Sequence, residues 1–486
     1  MQKATKEHLA HVMERPVRIT GPVDQPAGSH PFSAMKFSRS HIRPEDWGYL
    51  EEEYFFEGQS GTYDLDKEEK LVLAGPPVPF CTRILVRRPA KRKQQRPRVF
   101  LDILNASNGY DIEDQWRRSW RYIMENGFSY VGITAKPVNV LALKYFNWER
   151  YKALDWSGGE RAALPAVPDS LQRIEGCEEG MIWDMLTELG AWIKGDGREL
   201  FASGGEKLYL YLTGQSQSGM YLNTYVYQFH PLLSGREEPV FDGYLSLVSG
   251  GLQRSLRQTK GEDTFMCIRP YPEHAVDVPF ISLNSEGDYG LFSAMGMPGL
   301  KRGTNGTGEG DKRRYYEAAG APHTDAASPL VPENGEIEKC KCPRRILDGE
   351  YTYRLNDFPL DYLVNGMLEK LHRWAAYQEA PKEISPLVLD GEGVPKRDVF
   401  GNALGGIRTA FLEVPKASYA GSRGPGETNG TMRFFTQEEM RALYGETWRE
   451  TYKNRFEEVA RGQLKAGDIV ETDLLRMLQW AENVWE

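Results

Sequence analysis

The chain has no long apolar run. No stretch reaches the ~18 consecutive apolar residues that a membrane helix needs, so no span is expected. Its opening residues, MQKATKEHLAHVMERPVRIT, contain no apolar core of the kind a secretory signal carries, and the expected location is the cytoplasm. Cysteine is scarce: Cys81, Cys177, Cys267, Cys340 and Cys342, an odd number at scattered spacings. That argues against a disulfide framework and reads as free thiols in a reducing compartment. The Cys340-Lys341-Cys342 pair is too tight for half a zinc site. Histidine is scarce as well, with 8 in 486 residues. No H-E-x-x-H or clustered His/Asp set occurs, so neither a metal nor another cofactor is expected. Like charges are not blocked beyond runs such as Lys91-Arg92-Lys93. With a formal net charge of −9 the chain carries no basic footprint for a nucleic acid.

What is present suits a large packed core. Hydrophobic residues make up 40% of the chain and aromatics 12%, which sets it apart from disordered compositions. Residues 1–95 read as extended segments separated by turn residues. The stretch RVFLDILNASNGYDIEDQWRRSWRYIMENGFSYVGIT then reads strand, loop, helix, strand. Its strands fall at 99–104 and 128–134. Its helix carries Trp116, Trp120, Ile123 and Met124 at helical spacing, and Gly127 can end it. EEGMIWDMLTELGAWIKG is a second amphipathic helix, with Ile182, Met185, Leu186, Leu189 and Trp192 on one face. Further strands are expected at 208–212, in FDGYLSLVSGG, in DVPFISLNS and in RRYYEAAG. Strands alternating with helices over about 97–325 predict an α/β fold with a mostly parallel sheet flanked by helices. PLDYLVNGMLEKLHRWAAYQ and the segment from 436 onward read as helical. The expected organisation is an N-terminal β-rich extension packed on the core (1–95), a core (96–327) with a cap-like insertion at about 136–175, and a C-terminal helical and loop extension completing the pocket (328–486). No internal repeat is present.

The chemistry concentrates at LYLYLTGQSQSGMYLNTYVYQF. An apolar strand runs into small and polar residues, and an amphipathic helix follows. That is the setting of a nucleophile elbow, whose usual pattern is G-x-S-x-G. Here the order is Gly214-Gln215-Ser216-Gln217-Ser218-Gly219, with the second glycine one place late. For Ser216 the flanking positions two away are Gly214 and Ser218, both small. For Ser218 they are Ser216 and the bulky Met220. Ser216 also lies nearer the strand end, so it is the expected nucleophile and Ser218 stands in the usual glycine slot. The simpler reading makes Gly-Gln-Ser a plain turn and Ser218 a helix cap.

A serine hydroxyl is a weak nucleophile without a base, an orienter for that base and donors for the oxyanion. Among later histidines, His323 lies in a loop just past the last core strand and is the expected base. His230 ends a helix, His274 lies in a loop rich in proline and acid, and His372 lies on a helix. The acid is expected after the preceding strand, in NSEGD, where Asp288 is slightly preferred and Glu286 stays open. Oxyanion donors are expected from the Gln217 N–H and from Ala106 or Ser107 in the loop LNASNGYD.

Taken together, EEEYFFEGQSGTY, DILNASNGYDIEDQW, GFSYVGITAK, GQSQSG, NSEGD, AAGAPHTDA and RDVFGNALGGIRTAFLEVP resemble the large α/β-hydrolase-domain proteins described as carboxylic-ester hydrolases. The resemblance runs from Phe32 to Tyr419. It implies the α/β-hydrolase fold, Ser216 as nucleophile, His323 as base and an acid within NSEGD, without separating the two carboxylates. The expected activity is hydrolysis of a small-molecule ester through an acyl-enzyme. Acyl transfer, lactonase or amidase action with the same residues, or a non-catalytic binding role, are the alternatives. Trp148, Tyr151 and Trp156 in the insertion are candidates to wall a pocket for a bulky or apolar substrate, or else to form the insertion's own core. Arg408, beside two glycines, is a candidate substrate contact or else a partner of Asp398. Oligomeric state is not legible.

Overall fold

Consecutive residues of the central strands face opposite ways, and both ways are apolar. Val99, Leu101 and Ile103 enter one hydrophobic cluster while Phe100 enters another. Leu210 and Leu212 alternate with Tyr211 in the same manner. A strand apolar on both faces must be covered on both, which is the condition for a parallel sheet.

The computed structural model describes residues 2–156, 174, 176–257, 267–270, 273–294, 300–324, 330–345 and 350–483. Its main sheet has nine strands: β1 Arg18–Thr20, β2 Tyr49–Ser60, β3 Val78–Pro89, β4 Arg98–Ile103, β5 Ser129–Ile133, β6 Tyr209–Gln215, β7 Gly243–Leu247, β8 Phe280–Ser285 and β9 Arg313–Ala318. Their order across the sheet is β1-β2-β3-β5-β4-β6-β7-β8-β9. From β5 to β9 the neighbours run parallel. The first three strands join antiparallel. The N-terminal β-rich segment therefore continues the sheet itself.

One face is covered by α1 Lys6–Glu14, α3 Pro137–Phe146, α4 Ile182–Lys194 and α5 Gln217–Thr224, through Leu9, Leu143, Leu186 and Leu222. The other carries α2 Asp114–Glu125, α7 Leu360–Tyr377, α8 Trp448–Ala466 and α9 Glu471–Asn483, through Trp116, Met367, Phe456 and Leu474. The expected strands and helices all form. The short α6 Gly287–Ala294 follows β8 directly. All five cysteines are free. Among the described residues no helix is long and apolar enough to cross a membrane.

The expected insertion at 136–175 lies partly outside the described residues. What is described of it contains α3 and a short helix, Trp148–Tyr151. Two of its three candidate wall residues lie in the core, the alternative weighed from the sequence. Tyr151 is fully buried and Trp156 nearly so, both within the main core. The Tyr151 hydroxyl donates to Glu53 Oε1 at 2.7 Å and accepts from the Phe32 N–H at 3.1 Å. A buried tyrosine needs such partners, and the N-terminal strands supply them. Trp148 is half exposed, with Lys144 Nζ 6.0 Å from its ring.

Candidate functional site

Every expected site residue of the triad and the oxyanion pair follows the carboxyl end of a parallel strand: Ala106 after β4, Ser216 after β6, Asp288 after β8 and His323 after β9. In open α/β sheets this edge is where ligands sit, because loops there can converge while the strands hold them rigidly.

Ser216 occupies the turn between β6 and α5 with φ 54° and ψ −119°. A non-glycine residue at positive φ costs on the order of 1–3 kcal/mol and persists only where its surroundings over-determine it. Here they do. The Ser216 N–H donates to the Leu247 carbonyl at the end of β7 at 2.8 Å. A Cβ on Gly214 would lie 2.5 Å from the Ser218 carbonyl oxygen. A Cβ on Gly219 would lie 2.8 Å from Ser249 Cβ. The close approach to the neighbouring strand thus falls on Gly219, which accounts for the late glycine. Ser218 is not the helix cap; its hydroxyl is fully buried and accepts from Lys136 Nζ at 3.1 Å.

The Ser216 hydroxyl lies 2.9 Å from His323 Nε2. On the other side of the ring, His323 Nδ1 lies 2.6 Å from Asp288 Oδ1. A carboxylate only accepts, so the ring proton sits on Nδ1 and Nε2 is left to accept from the serine. Asp288 is held in turn, its Oδ2 accepting the Ser285 N–H at 2.7 Å. Phe292 sets its ring edge-to-face with His323 at 5.7 Å. Ser216 and Gln217 are half-buried, whereas Asp288 and His323 are buried.

Glu286, the second carboxylate of NSEGD, points elsewhere. Its Oε2 accepts the Gly320 N–H at 2.8 Å. Its Oε1 accepts the Gly421 N–H at 3.0 Å and pairs with Arg397 Nη2 at 2.7 Å. It ties the histidine loop to the C-terminal segment. Arg397 belongs to RDVFGNALGGIRTAFLEVP, and sequence reasoning missed it; that reading weighed Arg408. Arg408 pairs with Asp398 at 2.9 Å and with Glu413 at 2.6 Å, the partner arrangement weighed from the sequence.

Two backbone amides are the candidate oxyanion donors, that of Gln217, next to Ser216 in the chain, and that of Ala106, in the loop after β4. Neither the Gln217 nor the Ala106 N–H has an acceptor among the described residues. The Ser107 N–H, the other candidate, is taken by Asn105 Oδ1 at 2.7 Å and is not free. The loop itself is pinned. Asn105 Nδ2 donates to the Gln215 carbonyl at 3.0 Å. Asp111 is held by Arg83 at 3.1 Å, by Thr134 at 2.6 Å and by Asn139. Of the other later histidines, two are held in structural contacts. His230 lies between Tyr244 and Asp277, and His372 against Tyr211; His274 is exposed.

Lys136, just past β5, is the residue of this region that the sequence reading passed over. Its only signal was a lone lysine between an apolar strand and a proline. It is buried, and burial pushes its ammonium down to about 7.

A mostly parallel sheet in this order, with a serine on a strained strand-to-helix turn, defines the α/β-hydrolase fold. The chain matches the family described as alpha/beta hydrolase domain over residues 19–479 and belongs to that family. Among curated proteins, none matches the chain. Solved structures similar to it include a serine hydrolase without lid from Xanthomonas campestris (10% identity, 59% of this chain and 97% of that one, TM-score 0.26). Acetyl xylan esterase 1 from Thermoanaerobacterium matches at 12% identity over 50% of this chain and 57% of that one, TM-score 0.25. A rice cell wall degrading esterase from Xanthomonas oryzae matches at 9% identity over 51% of this chain and 48% of that one, TM-score 0.23.

Proposed function

We propose that this α/β hydrolase is a serine hydrolase of carboxylic esters. One observation carries the reading: Ser216 Oγ, His323 and Asp288 are hydrogen-bonded in series at 2.9 and 2.6 Å. Ser216 Oγ attacks the ester carbonyl carbon while His323 Nε2 takes its proton. Asp288 keeps the ring in the right tautomer and stabilises the imidazolium. The oxyanion accepts from the Gln217 and Ala106 N–H groups, which are preorganised and need not turn toward it. The tetrahedral intermediate collapses, and the alcohol leaves with the proton from His323. Water then gives a proton to His323, adds its oxygen to the acyl carbon, and releases the acid as Ser216 regains its proton.

Two small apolar clusters support an apolar substrate. One joins Ala106 to Val138, Leu141 and Ile174. The other joins Met220, Leu252, Leu291 and the Phe292 that abuts His323. Phe292 sets the second cluster beside the base, so an apolar moiety on the ester is expected.

The test is activity-based labelling. A fluorophosphonate should attach to Ser216 in the native protein and fail to attach to Ser216→Ala. That variant should lose ester turnover by at least about 10³-fold. A Ser216→Ala protein with full ester hydrolysis overturns the mechanism. A native protein that takes up no adduct points to a binding role instead.

A further inference from the structure

An ammonium buried without a carboxylate is costly, because desolvation is not offset. Lys136 is such a case: among the described residues no carboxylate lies within ion-pair distance of it. Its Nζ instead donates to the Leu104 carbonyl at 3.3 Å and to Ser218 Oγ at 3.1 Å, and lies 4.6 Å from the centre of the Tyr221 ring. A methionine would fill this place without charge, so the position asks what the amine contributes.

Its two polar partners answer that. Leu104 opens the loop that carries the Ala106 amide, and Ser218 directly follows Gln217. One side chain thus bridges the two backbone segments that carry the candidate oxyanion amides, Ala106 and Gln217. Ser218, standing where a glycine is usual, supplies the hydroxyl that the amine needs. We propose that Lys136 is a positioning residue, whose amine clamps the Leu104 carbonyl to the Ser218 hydroxyl and fixes the separation of the Ala106 and Gln217 amides. The inference rests on the esterase reading and assigns that site a device no hydrolase motif in the sequence contained.

Protonation modulates the clamp. The ammonium offers three donors and the neutral amine two. Around it, Glu179, Asp111 and Asp114 favour the charged form, Arg254 opposes it, and burial outweighs them. The clamp is therefore strongest below about pH 7 and weakens above.

Three variants test it: Lys136→Met, Lys136→Arg and Ser218→Ala, each assayed for kcat, KM, thermal melting and fluorophosphonate labelling rate. Lys136→Met should lower kcat and the labelling rate together by about 100-fold, the cost of misplacing a reacting geometry by about 1 Å. KM should stay within about twofold, since the ground-state ester does not need the oxyanion amides. Native kcat should show an alkaline decline near pH 7, absent in Lys136→Met. Lys136→Arg, which keeps its charge, should flatten that decline. Ser218→Ala should lose less, and its loss should not add to that of Lys136→Met. A Lys136→Met protein with native kcat and labelling rate overturns the inference. If Lys136→Met does not fold, a native profile flat from pH 6 to 9 together with an unaffected Ser218→Ala overturns it equally. Failure of the native protein to label at Ser216 would sink the esterase reading itself, whereas native labelling that Lys136 variants leave untouched sinks only this one.

Discussion

Two carboxylates stand two positions apart in NSEGD, and geometry gives them different tasks. Asp288 is short, begins the turn of α6, and meets His323 Nδ1 at 2.6 Å. Glu286 is longer and reaches away, to the Gly320 and Gly421 amides and to Arg397. Under the proposed mechanism, Asp288→Asn should lower kcat by about 10⁴-fold, because an amide lets the ring adopt the wrong tautomer. Glu286→Gln should leave most of the turnover and cost about 1–3 kcal/mol of stability, as a buried charge-assisted network is broken. Ester kinetics and thermal melts on both variants check this. If Glu286→Gln is the inactive one, the assignment of the pair is wrong.

At the scale of elements, the site depends on how closely β6 and α5 approach. Gly214→Ala would place a Cβ 2.5 Å from the Ser218 oxygen and 2.7 Å from the Ser218 carbonyl carbon. Both are backbone atoms and cannot swing aside, so strand and helix must part. The expected result is about 1–3 kcal/mol of destabilisation and, under the proposed mechanism, a fall in kcat of about 100-fold as the Gln217 amide shifts from the oxyanion's position. Gly462→Ala is the control. Gly462 lies inside α8 with nothing within 4 Å of an added Cβ. That change should stabilise by about 0.5–1 kcal/mol and leave activity unaltered. The strand positions were legible because residues apolar on both faces leave few alternatives. The tight contact was not, since the letters show only that a glycine comes late.

Across the whole molecule, segments far apart in the chain are joined by buried polar groups. Arg15, just past α1, meets Asp184 at 2.8 Å and Glu188 at 3.4 Å on α4. Glu188 Oε2 has no hydrogen-bond partner, and burial pushes this carboxyl up to about 9. The folded chain therefore keeps a proton that the unfolded chain gives up above about pH 4.5. By linkage, this group's contribution to stability is present at low pH and falls as pH rises toward 9. Glu188→Gln removes the dependence. Its melting temperature should exceed that of the native protein by more at pH 8.5 than at pH 5; an equal difference at both would refute the assignment.

The sequence by itself determined the α/β class, the serine on the strand-to-helix turn, the histidine past the last strand and the stretch NSEGD that follows β8. These follow from local rules: side-chain period, backbone-tolerant residues, and the order in which a hydrolase chain visits its strands. Which of Asp288 and Glu286 meets His323 took the tertiary structure to show, because side-chain length says how far a carboxylate can reach and not which way it points. The structure alone also showed that Arg397 pairs with Glu286 and that Tyr151 and Trp156 belong to the core. Each of these is a contact between residues distant in sequence. The same holds for Lys136, an unremarked lysine after a strand, whose place between the Leu104 carbonyl and the Ser218 hydroxyl exists only once β5, the loop after β4 and the first turn of α5 are packed together.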